Sequence, residues 1–490
     1  GTTASGGTSA DAGPPDASAD AGFDASPPLD GEAPGSDGGG GAGPDCARDA
    51  GAAGGELLWQ QHYPGAFADH LEVDARGHAI VAGSLFGPLT LGTFDLDTNG
   101  SADVHLARFA PDGAVEQAAH FGGTSEDYAL NLALGGDGRI LLAGVYNGAG
   151  SAGGTAFPTF AGTAGRYDGF LVSLGSAFDH RWSVAFPSTG ESSLGLGLAE
   201  DSSGSAWGAG FFRGSVTLGG ESHVSAGAGD AFLARFDEPA GSVAVKIVLG
   251  GTGEEGAGVT RWDGARVRAA FDFSGTLALP GHTALASRGG RDIAVLTLAR
   301  DGTIERVTQL GGPGDELLID AVLRGSSLVL TGTTNGASLE LRPGEDLAPL
   351  GGDDVLVASV AADGAVDWAR RFGGTANDRP REIAAGPCGE LVLVGEFRES
   401  MTLGGVHTAT PPSGGGATLI DAFVVKARGD FEPVWVRTYG GAAADRALGA
   451  GVAPDGRVVF SLAFQSTVDL GGGPLAPGPG WSSAVASLSP

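Results

Sequence analysis

The chain has 490 residues, 90 of them glycine and 26 proline, and a formal net charge of −30. An acidic excess of this size repels phosphate backbones and anionic headgroups, which excludes nucleic acid and membrane surfaces as partners. Two cysteines stand in no CxxC or Cys/His spacing, so there is no zinc or iron–sulfur motif. No apolar run approaches the length of a transmembrane helix, so no direct membrane insertion of this chain is expected.

Residues 1–55 are almost entirely Gly, Ala, Ser, Pro and Asp, with Phe23 and Leu29 the only large apolar side chains before Glu56. So little apolar surface does not offset the entropy of ordering the backbone. The segment reads as a disordered acidic tether, kept extended by proline and like charges. The ordered domain is expected over 56–490.

From Asp103 onward one pattern recurs. An Asp opens a strand-like run at Asp103, Asp168, Asp230, Asp292, Asp354 and Asp421, at intervals of 65, 62, 62, 62 and 67 residues. Eighteen or nineteen residues after each stands a large apolar residue, usually followed by Gly-Gly: Phe121, Phe186, Leu249, Leu310, Phe372 and Tyr439. A Trp precedes that position by four residues at Trp182, Trp368 and Trp435. The ends complete the count: WQQHY, with Trp59 and Tyr63, matches the second half of the pattern, and SSAVASL from Ser482 matches the first half with Ser for Asp.

Within each repeat, runs of four to eight residues rich in β-branched and aromatic side chains alternate with Asp-Gly turns such as 112–113, 137–138, 301–302, 363–364 and 455–456. Such units predict an all-β fold: a seven-bladed β-propeller with four antiparallel strands per blade. The segment after Gly-Gly is expected innermost and the Trp-bearing segment outermost. The strand around Trp59 is expected to pair with the C-terminal strand around Ala484 and close the ring.

The D-A-F-L/V strands, the F/Y-G-G-T-x-x-D element and LEVDARGHAIVAG (71–83) resemble the SBBP repeats of seven-bladed propellers on bacterial surfaces. The segments VTLGG at Val216, MTLGG at Met401 and VDLGG at Val468 depart from that pattern by lengthening each repeat. The resemblance implies a secreted or surface-attached, lipoprotein-like binding or structural module, anchored, where lipid-linked, through a segment outside this chain.

The most regular polar feature is an acid six residues after the apolar position: Asp69, Asp127, Glu255, Glu316, Asp378 and Asp445, with Glu191 one place early in the third copy. One level on one face would make them a carboxylate ring able to hold Ca²⁺, or else a set of turn caps and acceptors for backbone N–H groups of the next blade. The Asp residues that open each repeat read as turn residues. Trp59, Trp182, Trp368 and Trp435 share a register and are expected to pack between blades; Trp207, Trp262 and Trp481 break it and are the better candidates for exposed stacking. Cys46 and Cys388 are expected to form a disulfide that pins the tether to a neighbouring blade.

No catalytic residue is assigned, because no nucleophile elbow or metal-ligand spacing occurs. The expected function is a binding or assembly module displayed outside the cell or on the bacterial outer surface, taking protein or carbohydrate, with self-assembly open. The alternatives are a polysaccharide hydrolase or lyase at the propeller axis and a structural subunit of a surface fibre.

Overall fold

The computed structural model describes residues 54–148, 150–151, 166–256, 258–336, 338–403, 407–409, 419–478 and 480–490. All but the last two residues of the expected tether lie outside this range, as does Cys46.

One blade illustrates how the residues make the unit. Asp127–Leu134, Ile140–Tyr146, Asp168–Leu174 and His180–Phe186 pair in that order, each antiparallel to the next. The two middle strands are buried at every position, which explains their near-continuous apolar sequences, ILLAGVY and DGFLVSL. Outer strands such as Val115–Phe121 are buried only in part and accordingly mix polar with apolar residues. The Asp-Gly turns link the strands: at 110–113, Gly113 N–H donates to the Ala110 carbonyl and Asp112 accepts from Ala114 N–H. Gly113 holds φ 87°, which a side chain would strain.

The inner strands His70–Val73, Asp127–Leu134, Glu191–Glu200, Val259–Trp262, Glu316–Arg324, Arg379–Ala385 and Asp445–Val452 stand side by side in chain order, and the last returns to the first. Hydrophobic clusters fill the spaces between successive units, as where Trp182 and Phe186 meet Phe232 and Phe236. The ring is closed by hydrogen bonds rather than by a covalent turn. Leu57–Tyr63 pairs antiparallel with Ser482–Leu488, setting His62 opposite Ala484, and Ser489 N–H donates to the Glu56 carbonyl.

The sheet count corrects the expectation of a seven-bladed propeller: the four-stranded blades number five, not seven. Among the described residues, five sheets are free-standing four-stranded blades, eight further strands form one continuous sheet, and the remaining ten pair as five two-stranded ribbons. Length is the physical reason. Ser242–Gly251 and Val267–Ala278 run 10 and 12 residues against the 7 common elsewhere, and they meet through Gly250 opposite Ala278 and Gly251 opposite Leu277. Elsewhere the lengthening segments fold into separate two-stranded ribbons, such as Ser215–Leu218 with Glu221–Val224. Here the hairpin of Val267–Ala278 with Leu285–Leu298 runs straight through instead.

Buried charges tie the inner strands together. Arg261 pairs with Asp320 at 3.1 Å, the two side chains being 1% and 0% exposed. Asp320 also accepts the N–H of Ile383 on the next inner strand at 2.9 Å, and Glu382 accepts that of Ala450 one strand further at 3.0 Å. The strands bulge at these places, between Leu318 and Asp320 and between Pro380 and Glu382, which re-aims the acids toward their neighbours. Burial pushes the Asp320 carboxyl up to about 8 against the opposing pull of Arg261, so removing the guanidinium strips a buried carboxyl of its partner. Arg261→Met is therefore expected to cost about 1–3 kcal/mol in urea unfolding, and adding Asp320→Asn is expected to restore part of it.

Cys388 is disulfide-bonded and sits in the turn 386–389, its N–H donating to Glu390. Gly54 and Gly55 lie against Arg437 of the same blade, the Gly55 carbonyl accepting from Nε at 3.0 Å, so the chain enters the ring over the blade that carries Cys388. Peptide mapping without reductant is expected to recover a fragment linking Cys46 to Cys388, and reduction to lower the thermal midpoint. Recovery of both cysteines as free thiols would reject the pairing.

Candidate binding face

The antiparallel meander sorts residues between two faces. Inner strands start, second strands end and third strands start on one face; the Asp-Gly turns occupy the other. The regular acids sit on the first face, each at a junction between blades.

There four of the acids are held by their own repeats. Gly123 N–H donates to Asp127 at 2.7 Å, Gly312 to Glu316 at 2.7 Å, Gly374 to Asp378 at 2.7 Å and Gly441 to Asp445 at 2.6 Å. The donor is the second glycine of the Gly-Gly pair. The first is glycine because the Asp that opens the preceding third strand packs against it: a Cβ on Gly122, Gly250, Gly311, Gly373 or Gly440 would overlap Asp103, Asp230, Asp292, Asp354 or Asp421. The acid's own N–H then crosses to the neighbouring blade, from Asp127 to the Ala102 carbonyl, Glu255 to Gly229, Asp378 to Asp353 and Asp445 to Ile420.

Two copies vary this clasp with the same logic. In the third, Ser192 rather than Glu191 holds the register: its N–H donates to the Tyr167 carbonyl, while Ser188 donates to Asp168 through both N–H and hydroxyl. Glu191 turns instead to Arg213. At the closure, Ser482 takes the place of Asp and its hydroxyl accepts from Gly65 and Gly478 N–H. Asp69 accepts from Ser84 at 2.9 Å. Among the described residues, no three His, Cys, Asp or Glu side chains converge as a metal ion would require.

Burial raises Asp127, Glu255, Glu316, Asp378 and Asp445 above their ordinary range. Asp127, Asp378 and Asp445 are each pushed up to about 7, by burial first and then by the neighbouring Asp103, Asp354 and Asp421. Glu255 reaches about 8, through burial and then Asp230; it is fully buried, and neither of its oxygens has a hydrogen-bond partner among the described residues.

Around the acids, the same face divides into two arcs. One is aromatic: Trp481, Phe67, Phe86, Tyr128 and Tyr167 follow one another with centroid separations of 5.6, 5.7, 6.4 and 5.8 Å, all half-buried. Arg446 lies over the Trp481 ring at 5.1 Å at one end. At the other, the Tyr167 hydroxyl donates to Glu126 at 2.5 Å. The second arc is charged, with Arg213 held between Glu191 and Glu254, and Arg291 between Asp272 and Glu254. Next to the aromatic arc, Arg381 and Arg446 clamp Glu396 at 3.2 and 2.8 Å. Burial works to raise Glu396, yet Arg381, Arg446 and Arg379 together hold it below the ordinary carboxylate range.

Of the tryptophans expected to stack ligands, Trp481 alone belongs to this arc. Trp207 is fully buried and donates toward Asp201, and Trp262 packs on the core between two blades. Trp182, Trp368 and Trp435 are buried in the register expected of them, and Trp59 packs part-buried on Phe109 with its Nε1 donating to the Pro111 carbonyl. Phe67, Phe86, Tyr128 and Tyr167 were not singled out by the repeat, because they fill places that differ from copy to copy. The signal that identifies them is that variation: Tyr167, Arg291 and Trp481 each precede the Asp or Ser that opens a repeat, Phe86 follows the end of a second strand and Arg213 ends one.

No protein-family model matches the chain, and no curated protein matches it, so membership of the SBBP repeats is corrected: the quoted motifs are β-propeller chemistry without that family behind them. The fold is similar to solved structures at low identity. They include hydrazine synthase of Kuenenia stuttgartiensis (11% identity, TM-score 0.42, over 81% of this chain and 92% of that one). The polysaccharide lyase Uly1 matches at 11% and 0.41 over 86% and 90%. A Dyadobacter fermentans protein of unknown function matches at 12% and 0.39 over 89% and 98%. Likeness at this level carries no argument about chemistry.

The raised acids have a consequence for pH. Because their folded pKa values exceed the unfolded ones, the folded state holds the extra protons, and that contribution is complete below the ordinary carboxylate range and lost as pH rises through about 7 to 8. The thermal midpoint is expected to fall between pH 5 and pH 8.5. Asp127→Asn, which keeps an acceptor for Gly123 N–H but cannot ionise, is expected to flatten that fall.

Proposed function

We propose that this β-propeller is a binding module that holds its ligand on the face where the inner strands begin. The observation that carries the reading is the aromatic arc from Trp481 to Tyr167, five half-buried rings in sequence on a framework of buried strands. Exposed rings of this kind supply contact area at little entropic cost, and recurring as a band they mark a recognition surface. The framework around them is held by clasped junctions, which suits a preformed site.

Display outside the cell or on a bacterial outer surface fits the same reading. The disulfide at Cys388 belongs to an oxidising compartment. The composition of residues 1–55 suits a spacer between an anchor and a folded domain.

A polysaccharide-cleaving enzyme is the second reading, and Glu255 is the observation that favours it. A carboxyl that stays protonated near neutral pH, beside Glu254, Asp272 and Arg291, has the ionisation state a general acid needs. Its complete burial favours the binding module instead, since a general acid must reach the leaving oxygen.

Incubation with a panel of bacterial, plant and algal polysaccharides separates the two. Retention of the protein on a polysaccharide without new reducing ends or unsaturated products is the expected result. Product release that is abolished by Glu255→Gln would establish the enzyme and reject the module.

A further inference from the structure

We infer that the aromatic arc binds an uncharged carbohydrate chain laid along its rings, with Trp481, Phe67, Phe86, Tyr128 and Tyr167 as successive stacking platforms. The inference rests on reading this face as a binding site and adds the class of ligand.

Three observations select that class. First, the rings form a curved row rather than a cage: neighbouring centroids are 5.6 to 6.4 Å apart and the planes tilt from one another by 39° to 80°. A row engages a ligand that repeats along its length, whereas a compact organic cation requires enclosure.

Second, hydrogen bonding along the arc is dominated by acceptors. The Tyr167 hydroxyl donates to Glu126, which retains lone pairs beyond that bond, and the Ser84 hydroxyl donates to Asp69. Glu126 and Asp69, with Asp127, also lie close enough to Tyr128 to push its phenol up to about 12 after burial has raised it. A ligand here has to bring donors. Sugar hydroxyls do so at every unit, and a proline-rich peptide, which also favours aromatic grooves, has carbonyls in place of N–H groups.

Third, charge excludes acidic glycans. The chain carries −30 overall; Arg446 is engaged by Glu396 and the Trp481 ring, Arg213 by Glu191 and Glu254, and Arg291 by Glu254 and Asp272. A polyanion would meet Glu126 and Asp69 within this acidic chain, and the exposed Arg166 beside Tyr167 offsets only one of those charges.

The test presents the full-length protein to two arrays, one of neutral, acidic and amino-sugar oligosaccharides of two to eight units, the other of proline-rich peptides. Binding to neutral oligosaccharides is expected to strengthen with length until the row of rings is filled. Trp481→Ala and Tyr128→Ala are each expected to weaken it by about threefold or more, Trp481→Phe to retain most of it, and Asp301→Asn, on the opposite face, to leave it unchanged. Circular dichroism and thermal unfolding confirm that each variant is folded.

Peptide binding lost in folded Trp481→Ala would overturn the carbohydrate inference and leave the binding module standing. Glycan binding indifferent to both ring variants would overturn the arc as its site, again leaving the module. A preference for acidic or amino-sugar chains would overturn the uncharged class. Binding on neither array would overturn the inference and count against the module as well.

Discussion

The clasp at each blade junction is the constraint on which the ring depends. A third-strand Asp packs against the first glycine of a Gly-Gly pair, the second glycine donates to an acid four residues on, and that acid's N–H returns to the carbonyl preceding the same Asp. Two buried carboxyls thereby sit next to each other. Burial and mutual repulsion push the inner one toward protonation, so the junction keeps its hydrogen bonds without an unpaired buried charge. Where one of the two carboxyls is missing, a serine stands in its place: the Ser192 hydroxyl donates to the Phe186 carbonyl and the Ser482 hydroxyl accepts from Gly65 and Gly478 N–H, so the junction keeps hydrogen bonds without that charge.

That framework frees the positions beside it. A residue just before a third strand or just after a second strand lies on the clasped face with its backbone held, so its side chain varies without disturbing the junction. Ala102, Tyr167, Gly229, Arg291, Asp353, Ile420 and Trp481 each stand immediately before the Asp or Ser that opens a repeat. The result is a face whose aromatic and charged arcs come from single substitutions on a common template. Function then rests on what differs between repeats, and stability on what they share.

The eight-stranded sheet illustrates how a repeat yields to local length. Val267–Ala278 and Leu285–Leu298 carry the hairpin that other repeats break into a separate ribbon, and the extra residues reach the outer strand of the preceding unit. Periodicity in the sequence counts repeats; hydrogen bonding across their edges decides how many sheets they make.

The strands, their order within a unit and the pairing of Leu57–Tyr63 with Ser482–Leu488 were legible because each depends on local pattern: apolar runs, Asp-Gly turns, and complementary halves of one motif at the two ends. The acids were legible as a register. Their role was not, because Asp127, Asp378 and Asp445 accept glycine N–H groups that only the folded turn aims at them, and Ser192 replaces Glu191 by a shift of one residue that a spacing count cannot resolve. Trp481 stood out by breaking register, while Trp207, chosen on the same ground, is entombed between strands. By itself the sequence determined the repeating β unit and the closure of its ends, since both follow from local chemistry. The tertiary structure alone decided that Phe67, Phe86, Tyr128, Tyr167 and Trp481, up to 414 residues apart, become neighbours, since that contact exists only once the ring brings the last repeat back to the first.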